Sequence, residues 1–212
     1  NLNDGNLKNV VPFNNSNRNT VWNLTPYERT LLIDSDFFIM SNTLSNYWEV
    51  DSDLLISSSM NDIVSEKRTG YFDRYVSETG VKLYWATTVM FTKNDKTKAF
   101  FELVDFIREN YSMFADIYRF NPDQYRNDIS FSVAKHIFYG FEQVRSYDLP
   151  PINTVLDKDM LVGVDVAKGK LDFLLSENLD NNYIAASVKD MDVHLMNKQS
   201  ITRNAEKLME LI

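Results

Sequence analysis

The apolar residues of this chain occur in short runs, and a cluster of turn-forming residues ends most of them. The clearest case is Leu31-Leu32-Ile33, which Asp34-Ser35-Asp36 follows directly. Runs of this length with turn residues behind them are typical of buried strands. None of the runs approaches the ~20 apolar residues that cross a bilayer, so the sequence predicts no membrane span. It also excludes a coiled-coil rod and favours a globular domain with several strands.

The remaining elements are predicted from propensity and spacing. We expect further strands at 53–57, 84–92, 160–166, 170–175, 183–188 and 192–196. Helical spacing predicts helices at 96–111, 128–139 and 199–212, the last with Leu208 and Met209 on its buried face. Residues 1–20 are rich in Asn and read as a loop-like segment or linker, and 61–80 as an irregular loop. The predicted architecture is one mixed α/β domain over 21–212.

Charge and cysteine content restrict the class of function. The 212 residues include 22 Lys+Arg and 30 Asp+Glu, so the net charge is −8. A protein that binds the phosphate backbone is normally basic, which makes nucleic acid an unfavoured partner. The chain has no cysteine, which excludes disulfides and thiolate chemistry and suits a reducing compartment such as the cytoplasm.

The acidic pair Asp34 and Asp36 is the first candidate site. In an open α/β sheet the carboxyl ends of the strands form the edge where ligands bind. A turn after the strand sets where each of the two carboxylates points. We expect the turn to let one carboxylate reach a metal and the other reach a ribose or a bridging water. Oxygen ligands of this kind suit Mg²⁺ or Mn²⁺. The alternative is a strand end that is merely closed by polar turn residues.

A second candidate lies in the segment 192–198. Strand alternation places Asp192, His194 and Met196 on one side. Histidine is a common metal ligand, and the nearby Lys198 can neutralise a phosphate. The alternative is a hydrogen-bonded histidine beside a surface lysine. His136, the other histidine, lies in an apolar helical run and is interpreted as structural.

Two further segments offer polar groups to a substrate. Asn127 or Asp128 is expected to cap the helix at 128–139, and a helix start also favours a sugar or a phosphate. Thr87 and Thr88, next to Trp85, place hydroxyls on a strand edge. Core packing is the alternative role for Trp85.

Four sequence blocks in a fixed order resemble the GT-A glycosyltransferases, in the glycogenin-like, retaining layout. They are PYERTLLIDSDF, YWATTVMF, YRNDISFSVA and DVHLMNK, and they look most like glycosyltransferases of T-even-type and marine bacteriophages. The likeness runs from about Pro26 to Lys198. It implies a Rossmann-like mixed sheet flanked by helices and transfer from a nucleoside-diphosphate sugar, with UDP expected as the nucleotide and retention of anomeric configuration favoured.

The resemblance also implies residue roles. Asp34 and Asp36 would be the metal-and-nucleotide motif, with Asp36 the direct ligand and His194 the third ligand of Mn²⁺ or Mg²⁺. Lys198 would contact the diphosphate and Asp128 would act beside the donor sugar. The remaining substrate-binding residues would be Trp85, Thr87, Thr88 and Asn127.

The nucleotide-base pocket and the acceptor stay open at this stage. The family builds the base pocket from a βαβ region ahead of the acidic pair, and such a unit needs roughly 30 residues. Only 33 residues precede Asp34, so we expect either further chain before Asn1 or no base pocket. By the phage resemblance the acceptor would be hydroxymethylcytosine in DNA and the location the host cytoplasm. A protein, glycan or small-molecule acceptor is the other option.

Two other functions fit the same residues. The domain could be a catalytically silent GT-A-like module that binds a partner or builds a phage structure. Paired aspartates at a strand end also suit a metal-dependent phosphohydrolase or nucleotidyltransferase.

Overall fold

The computed structural model describes residues 16–64, 74–140, 148–177 and 182–211, and these form an α/β arrangement of sheets and flanking helices. The strands are β1 Arg29–Ile33, β2 Phe37–Phe38, β3 Leu54–Ser57, β4 Met60–Asp62, β5 Trp85–Thr92, β6 Ile152–Val155, β7 Met160–Asp165, β8 Lys170–Glu177, β9 Asn182–Lys189 and β10 Val193–Leu195. The helices are α1 Val21–Leu24, α2 Asp95–Glu109, α3 Tyr111–Tyr118, α4 Asn127–Tyr139, α5 Lys198–Arg203 and α6 Ala205–Leu211. Short 3₁₀ helices cover Arg18–Thr20, Leu44–Tyr47 and Val166–Lys168.

The strands form three sheets. The first sheet is antiparallel with the order β1-β5-β3. The second sheet is mixed: its order is β2-β10-β6-β4, with β2 antiparallel to β10 and the other pairs parallel. The third sheet is the antiparallel meander β7-β8-β9, which confirms the predicted hairpin succession.

Alternating faces of these strands build a layered core. In β3, Leu54 and Ile56 pack with the helices α2 and α4, whereas Leu55 packs in a separate cluster with Phe37 and Ile152 of the second sheet. The first sheet therefore lies between the helices and the second sheet. The opposite face of the second sheet packs on the third sheet and on α6. Period-two side-chain alternation explains why one strand serves two cores.

This layering fixes where the acidic pair lies. Phe37 belongs to the cluster between the first two sheets, and its neighbour Phe38 belongs to the cluster against the third. The segment Asp34–Asp36 connects β1 of the first sheet to β2 of the second. Any side chain on this segment therefore lies where two sheets meet.

Several predicted elements are confirmed and others are wrong. The strands at β1, β3, β5 and β7 to β10 are present, although β1 is half-buried and not fully buried as predicted. The second predicted helix ends at Gly140, which has a φ of 65°. The single closing helix is wrong, because Asn204 separates α5 from α6, and Met209 is 78% exposed while Leu208 is buried.

Some elements had no sequence prediction. The strands β2, β4 and β6 and the helix α3 were not predicted; β4 lies at the start of the expected loop 61–80. Strands of two to four residues carry almost no periodicity, and β6 follows Pro150-Pro151, which reads as a break. Within the loop-like segments, residues 1–15 and 65–73 lie outside the described part of the chain. Across the described residues, no helix combines the length and apolar character needed to cross a bilayer.

A buried lysine anchors α4 to the core. Lys135 is 3% exposed, and its Nζ lies 3.1 Å from an Asp148 carboxylate oxygen and 3.8 Å from the ring centroid of Tyr84. The other Asp148 oxygen accepts a hydrogen bond from Lys82 at 2.7 Å. Burial lowers the pKa of Lys135 to about 8, and the Asp148 carboxylate offsets only part of that effect. The charged form is thus destabilised by the fold.

The lowered pKa predicts how stability depends on pH. Between pH 8 and 10.5 the unfolded chain holds a proton on Lys135 that the folded chain has released, so stability rises with pH in this window. Relative to Lys135→Met, the wild type should gain up to about 1 kcal/mol per pH unit between pH 8 and 9.5. Urea unfolding followed by circular dichroism measures this. Lys98→Met, at an exposed helix lysine, should show the wild-type slope, and equal slopes for wild type and Lys135→Met would contradict the prediction.

Candidate metal centre

A tight turn brings the two aspartates together. Asp34 follows β1, and the Phe37 N–H donates to the Asp34 carbonyl at 3.1 Å, which closes a β-turn over Asp34–Phe37. Asp36 lies inside this turn, so its direction is set by the turn and not by strand alternation. The sequence predicts different partners for the two carboxylates. The structure directs both toward one histidine.

His194 supplies the third group. Its strand β10 pairs with β2 so that His194 lies opposite Phe37, and the Leu195 N–H donates to the Asp36 carbonyl at 2.9 Å. The His194 Nε2 lies 3.3 Å from Asp36 Oδ1 and 4.0 Å from Asp34 Oδ2. One ligand atom from each of the three residues falls within 4.8 Å of the others, close enough to bind one metal ion.

Basic side chains occupy the other oxygen of each carboxylate. The Arg18 guanidinium donates to Asp34 Oδ1 at 2.5 Å. The Lys198 ammonium donates to Asp36 Oδ2. The atoms that face His194 are Asp34 Oδ2 and Asp36 Oδ1, so the two ion pairs leave one oxygen of each carboxylate toward the histidine. Two carboxylate oxygens and an imidazole nitrogen are a ligand set that divalent first-row metals accept.

The electrostatics keep Asp36 ionised. Burial by itself would raise the pKa of Asp36, but the hydrogen bonds and charges of His194 and Lys198 outweigh it and lower that pKa to about 2. Asp36 is therefore a carboxylate at any ordinary pH, which is the form a metal binds. The His194 Nδ1 is buried and accepts or donates no hydrogen bond among the described residues.

Lys198 is positioned by a helix start. Asn197 is the N-cap of α5: its Oδ1 accepts from the Ser200 N–H at 2.9 Å, and its Nδ2 donates to the Asp159 carbonyl at 2.8 Å. Lys198 is then the first residue of α5, next to the acidic turn. The predicted proximity of Lys198 to the site is thus present in the structure, with Asp36 as its partner.

Arg18 is the site residue that sequence reasoning missed. It lies in the 3₁₀ helix Arg18–Thr20, its side chain is 7% exposed, and it also donates to the Thr87 carbonyl at 3.4 Å. The only sequence signal was a single arginine in an Asn-rich stretch. Its contacts to Asp34 and Thr87 lie far away in sequence, and no local pattern reports them.

Asp128 and Asn127 lie at the start of α4, but neither is its N-cap. The N-cap is Arg126, without a side-chain capping bond, so the capping prediction is wrong. Asp128 Oδ1 accepts from the Ala86 N–H at 2.8 Å, and Oδ2 accepts from the Arg126 guanidinium at 3.1 Å. The carboxylate thus fastens α4 to β5 one residue before Thr87, whose carbonyl accepts the Asp34 N–H at 3.0 Å.

The other predicted substrate residues are mostly buried in β5. Trp85 packs in the cluster between the first two sheets, which agrees with the core alternative, and the Arg126 guanidinium lies 5.8 Å from its ring centroid. Thr88 donates to the Ser57 hydroxyl at 2.8 Å. His136 contacts the Tyr118 ring edge-on at 5.8 Å, as expected for a structural histidine.

The group Asp34, Asp36 and His194 predicts metal binding that requires His194 and not His136. We expect Mn²⁺ to bind the wild type in calorimetric titration and His194→Ala to weaken this binding at least tenfold, because a third of the ligand set is lost. His136→Ala is the matched control and should bind like the wild type. Equal affinity of His194→Ala and wild type would exclude this group as the metal site.

Comparisons of the chain with protein-family models, with curated proteins and with solved structures found no match. The function of the site is therefore inferred from its own geometry and charges.

Proposed function

We propose that this chain is a metal-dependent glycosyltransferase of the GT-A type, which moves a sugar from a nucleoside-diphosphate donor to a hydroxyl acceptor. The observation that carries the proposal is the convergence of Asp34, Asp36 and His194 on one point, with Lys198 beside them. Mn²⁺ is the cation we favour over Mg²⁺, because an imidazole belongs to the ligand set and Mg²⁺ prefers oxygen.

The charge of the site supports a diphosphate ligand. Asp34 and Asp36 contribute two negative charges, and Arg18 and Lys198 contribute two positive charges. The four side chains sum to zero, so a bound divalent cation gives the site a net charge of +2. A diphosphate carries negative charge that such a site attracts, whereas a neutral ligand would gain nothing from it.

The chemistry requires charge stabilisation more than a protein nucleophile. The bond between the anomeric carbon and the diphosphate oxygen breaks, and its electron pair stays on the diphosphate. The acceptor hydroxyl oxygen bonds to the anomeric carbon, and its proton passes to the departing diphosphate. A metal held by Asp34, Asp36 and His194 supplies Lewis-acid stabilisation of the leaving group. Lys198 adds a mobile positive charge at the same place, which is electrostatic catalysis.

The roles proposed for the remaining residues follow from their contacts. Arg18 holds Asp34 through one oxygen and keeps the other directed at the metal position. Asp128 is half-buried and lies beside β5, where it would face the positive charge that develops at the anomeric carbon. Asn127, Trp85, Thr87 and Thr88 would act as walls and supports of the donor pocket.

Donor hydrolysis is the direct test of this function. With Mn²⁺ and a panel of UDP-sugars, the wild type should release UDP, and EDTA should abolish the release. Asp36→Ala and His194→Ala should each lower the rate at least a hundredfold, since the leaving group then loses its stabilising charge. His136→Ala should keep the wild-type rate.

Other products would point to other functions. Release of a sugar phosphate or pyrophosphate in place of UDP would show a phosphohydrolase or a nucleotidyltransferase. Tight Mn²⁺ and UDP binding without turnover of any donor would support the catalytically silent module. A metal-independent signal that survives both substitutions would overturn the proposed site.

Lys198 gives a sharper test, because its removal should lower turnover without weakening metal binding. Lys198→Met removes the ammonium that occupies Asp36 Oδ2, so Mn²⁺ should bind at least as tightly as to the wild type. The same change should lower UDP release about tenfold or more, since a positive charge next to the leaving group is lost. Lys158→Met, at an exposed lysine, is the control and should alter neither. Weaker metal binding together with unchanged turnover would contradict the assigned role.

A further inference from the structure

A cavity of about 330 Å³ is lined by residues of the second sheet and of neighbouring segments. Its walls come from the loop after β2, from strand β4, from the start of β6 and from the turn before β10. This volume is at the lower end of the range for small-molecule sites. Its lining includes Phe37, Asn61, Thr88, Pro150, Asn153 and Asp192.

The cavity shares chain segments with the candidate metal centre. Phe37 directly follows the ligand Asp36, and it lies opposite His194 in the strand register. Asp192 precedes His194 by two residues, and Thr88 follows Thr87, whose carbonyl accepts the Asp34 N–H. Three chain segments that build the metal centre therefore also wall the cavity. The cavity therefore lies near the metal position, and Asp34, Asp36 and His194 themselves are not among its lining residues.

The walls are held by hydrogen bonds within the protein. Thr88 donates to the Ser57 hydroxyl, which donates to the Pro150 carbonyl at 2.6 Å. On the opposite side, Asp192 Oδ1 accepts from the Met40 and Ser41 N–H groups at 2.8 and 2.7 Å. These bonds preform the cavity, so a ligand does not have to order it.

The net negative charge of the lining disfavours a polyanion. Its charged residues are Lys189, Asp190 and Asp192, which sum to −1, and Lys189 lies 3.9 Å from the Asp190 carboxylate. The uncharged polar groups are the hydroxyls of Thr43 and Thr88 and the amides of Asn61 and Asn153, and Phe37 and Pro150 offer apolar faces. The Asn153 amide nitrogen donates to the Asp192 carbonyl at 3.2 Å, which leaves its amide oxygen toward the cavity as an acceptor. Amides beside apolar faces suit a molecule with hydroxyls around a C–H framework.

We propose that this cavity is the acceptor subsite and that it binds a neutral saccharide, with the amide of Asn61 and the amide oxygen of Asn153 contacting the hydroxyls. This inference rests on the proposed glycosyltransferase function and names its acceptor class. Modified DNA, which the phage resemblance implies, is the opposing case. A nucleic-acid acceptor would have to place phosphates against a wall of net negative charge.

The test measures binding without metal or donor, so it can fail independently of the transferase activity. Methyl glycosides of glucose, galactose and N-acetylglucosamine are titrated into the protein in EDTA and followed by saturation-transfer NMR. A short DNA duplex containing hydroxymethylcytosine is titrated in parallel. Asn61→Trp fills the cavity from the exposed edge strand β4, and Asn182→Trp makes the same change on the edge strand β9, away from the cavity.

We expect at least one glycoside to bind the wild type, Asn61→Trp to weaken it tenfold or more, and Asn182→Trp to leave it unchanged. Asn61→Ala removes only the amide and should weaken binding severalfold; it carries the test if Asn61→Trp fails to fold by circular dichroism. The proposal is overturned if no glycoside binds the wild type or if Asn61→Trp binds as the wild type does. DNA binding that Asn61→Trp abolishes would also overturn it and assign the cavity to nucleic acid.

Discussion

The hydrogen bond from the Leu195 N–H to the Asp36 carbonyl connects the two halves of the candidate site. Asp36 belongs to the turn that follows the first sheet, and Leu195 belongs to β10, an inner strand of the second sheet. Because β2 has only two residues, its register against β10 depends on a few such bonds. If that register slipped by one residue, His194 would exchange faces with Val193 or Leu195 and the ligand group would not form.

The position of the site between two sheets explains its mixture of burial and charge. Asp36 and His194 are both largely buried, and burying an unpaired carboxylate is costly. Positive charges on neighbouring elements offset this cost. They are Lys198 at the start of α5 and Arg18 in the 3₁₀ helix Arg18–Thr20. Each carboxylate is thereby neutralised through one oxygen only, which leaves the other for a metal.

The candidate ligands could be predicted from the sequence, but the framework that brings them together could not. Asp34, Asp36 and His194 stood out because acids at a strand end and a histidine in a polar strand are local signals. Their convergence depends on β2 and β6, which are too short or too close to prolines to be predicted. The role of Asp128 shows the same limit. Its residue type and position suggested an N-cap, but its carboxylate accepts a hydrogen bond from the Ala86 N–H, which is distant in sequence. The only local signal for Arg18 was a single arginine in an Asn-rich stretch.

The two basic residues of the site differ in a way that assigns them different tasks. The Arg18 side chain is 7% exposed and is fixed by contacts to both Asp34 and the Thr87 carbonyl, so it cannot leave without breaking buried hydrogen bonds. The Lys198 side chain is 41% exposed, and it reaches Asp36 through a flexible stem. A ligand with its own negative charge can therefore draw Lys198 away from Asp36, while Arg18 keeps Asp34 in place. Such a division would give one fixed cation that shapes the metal position and one mobile cation that follows the ligand.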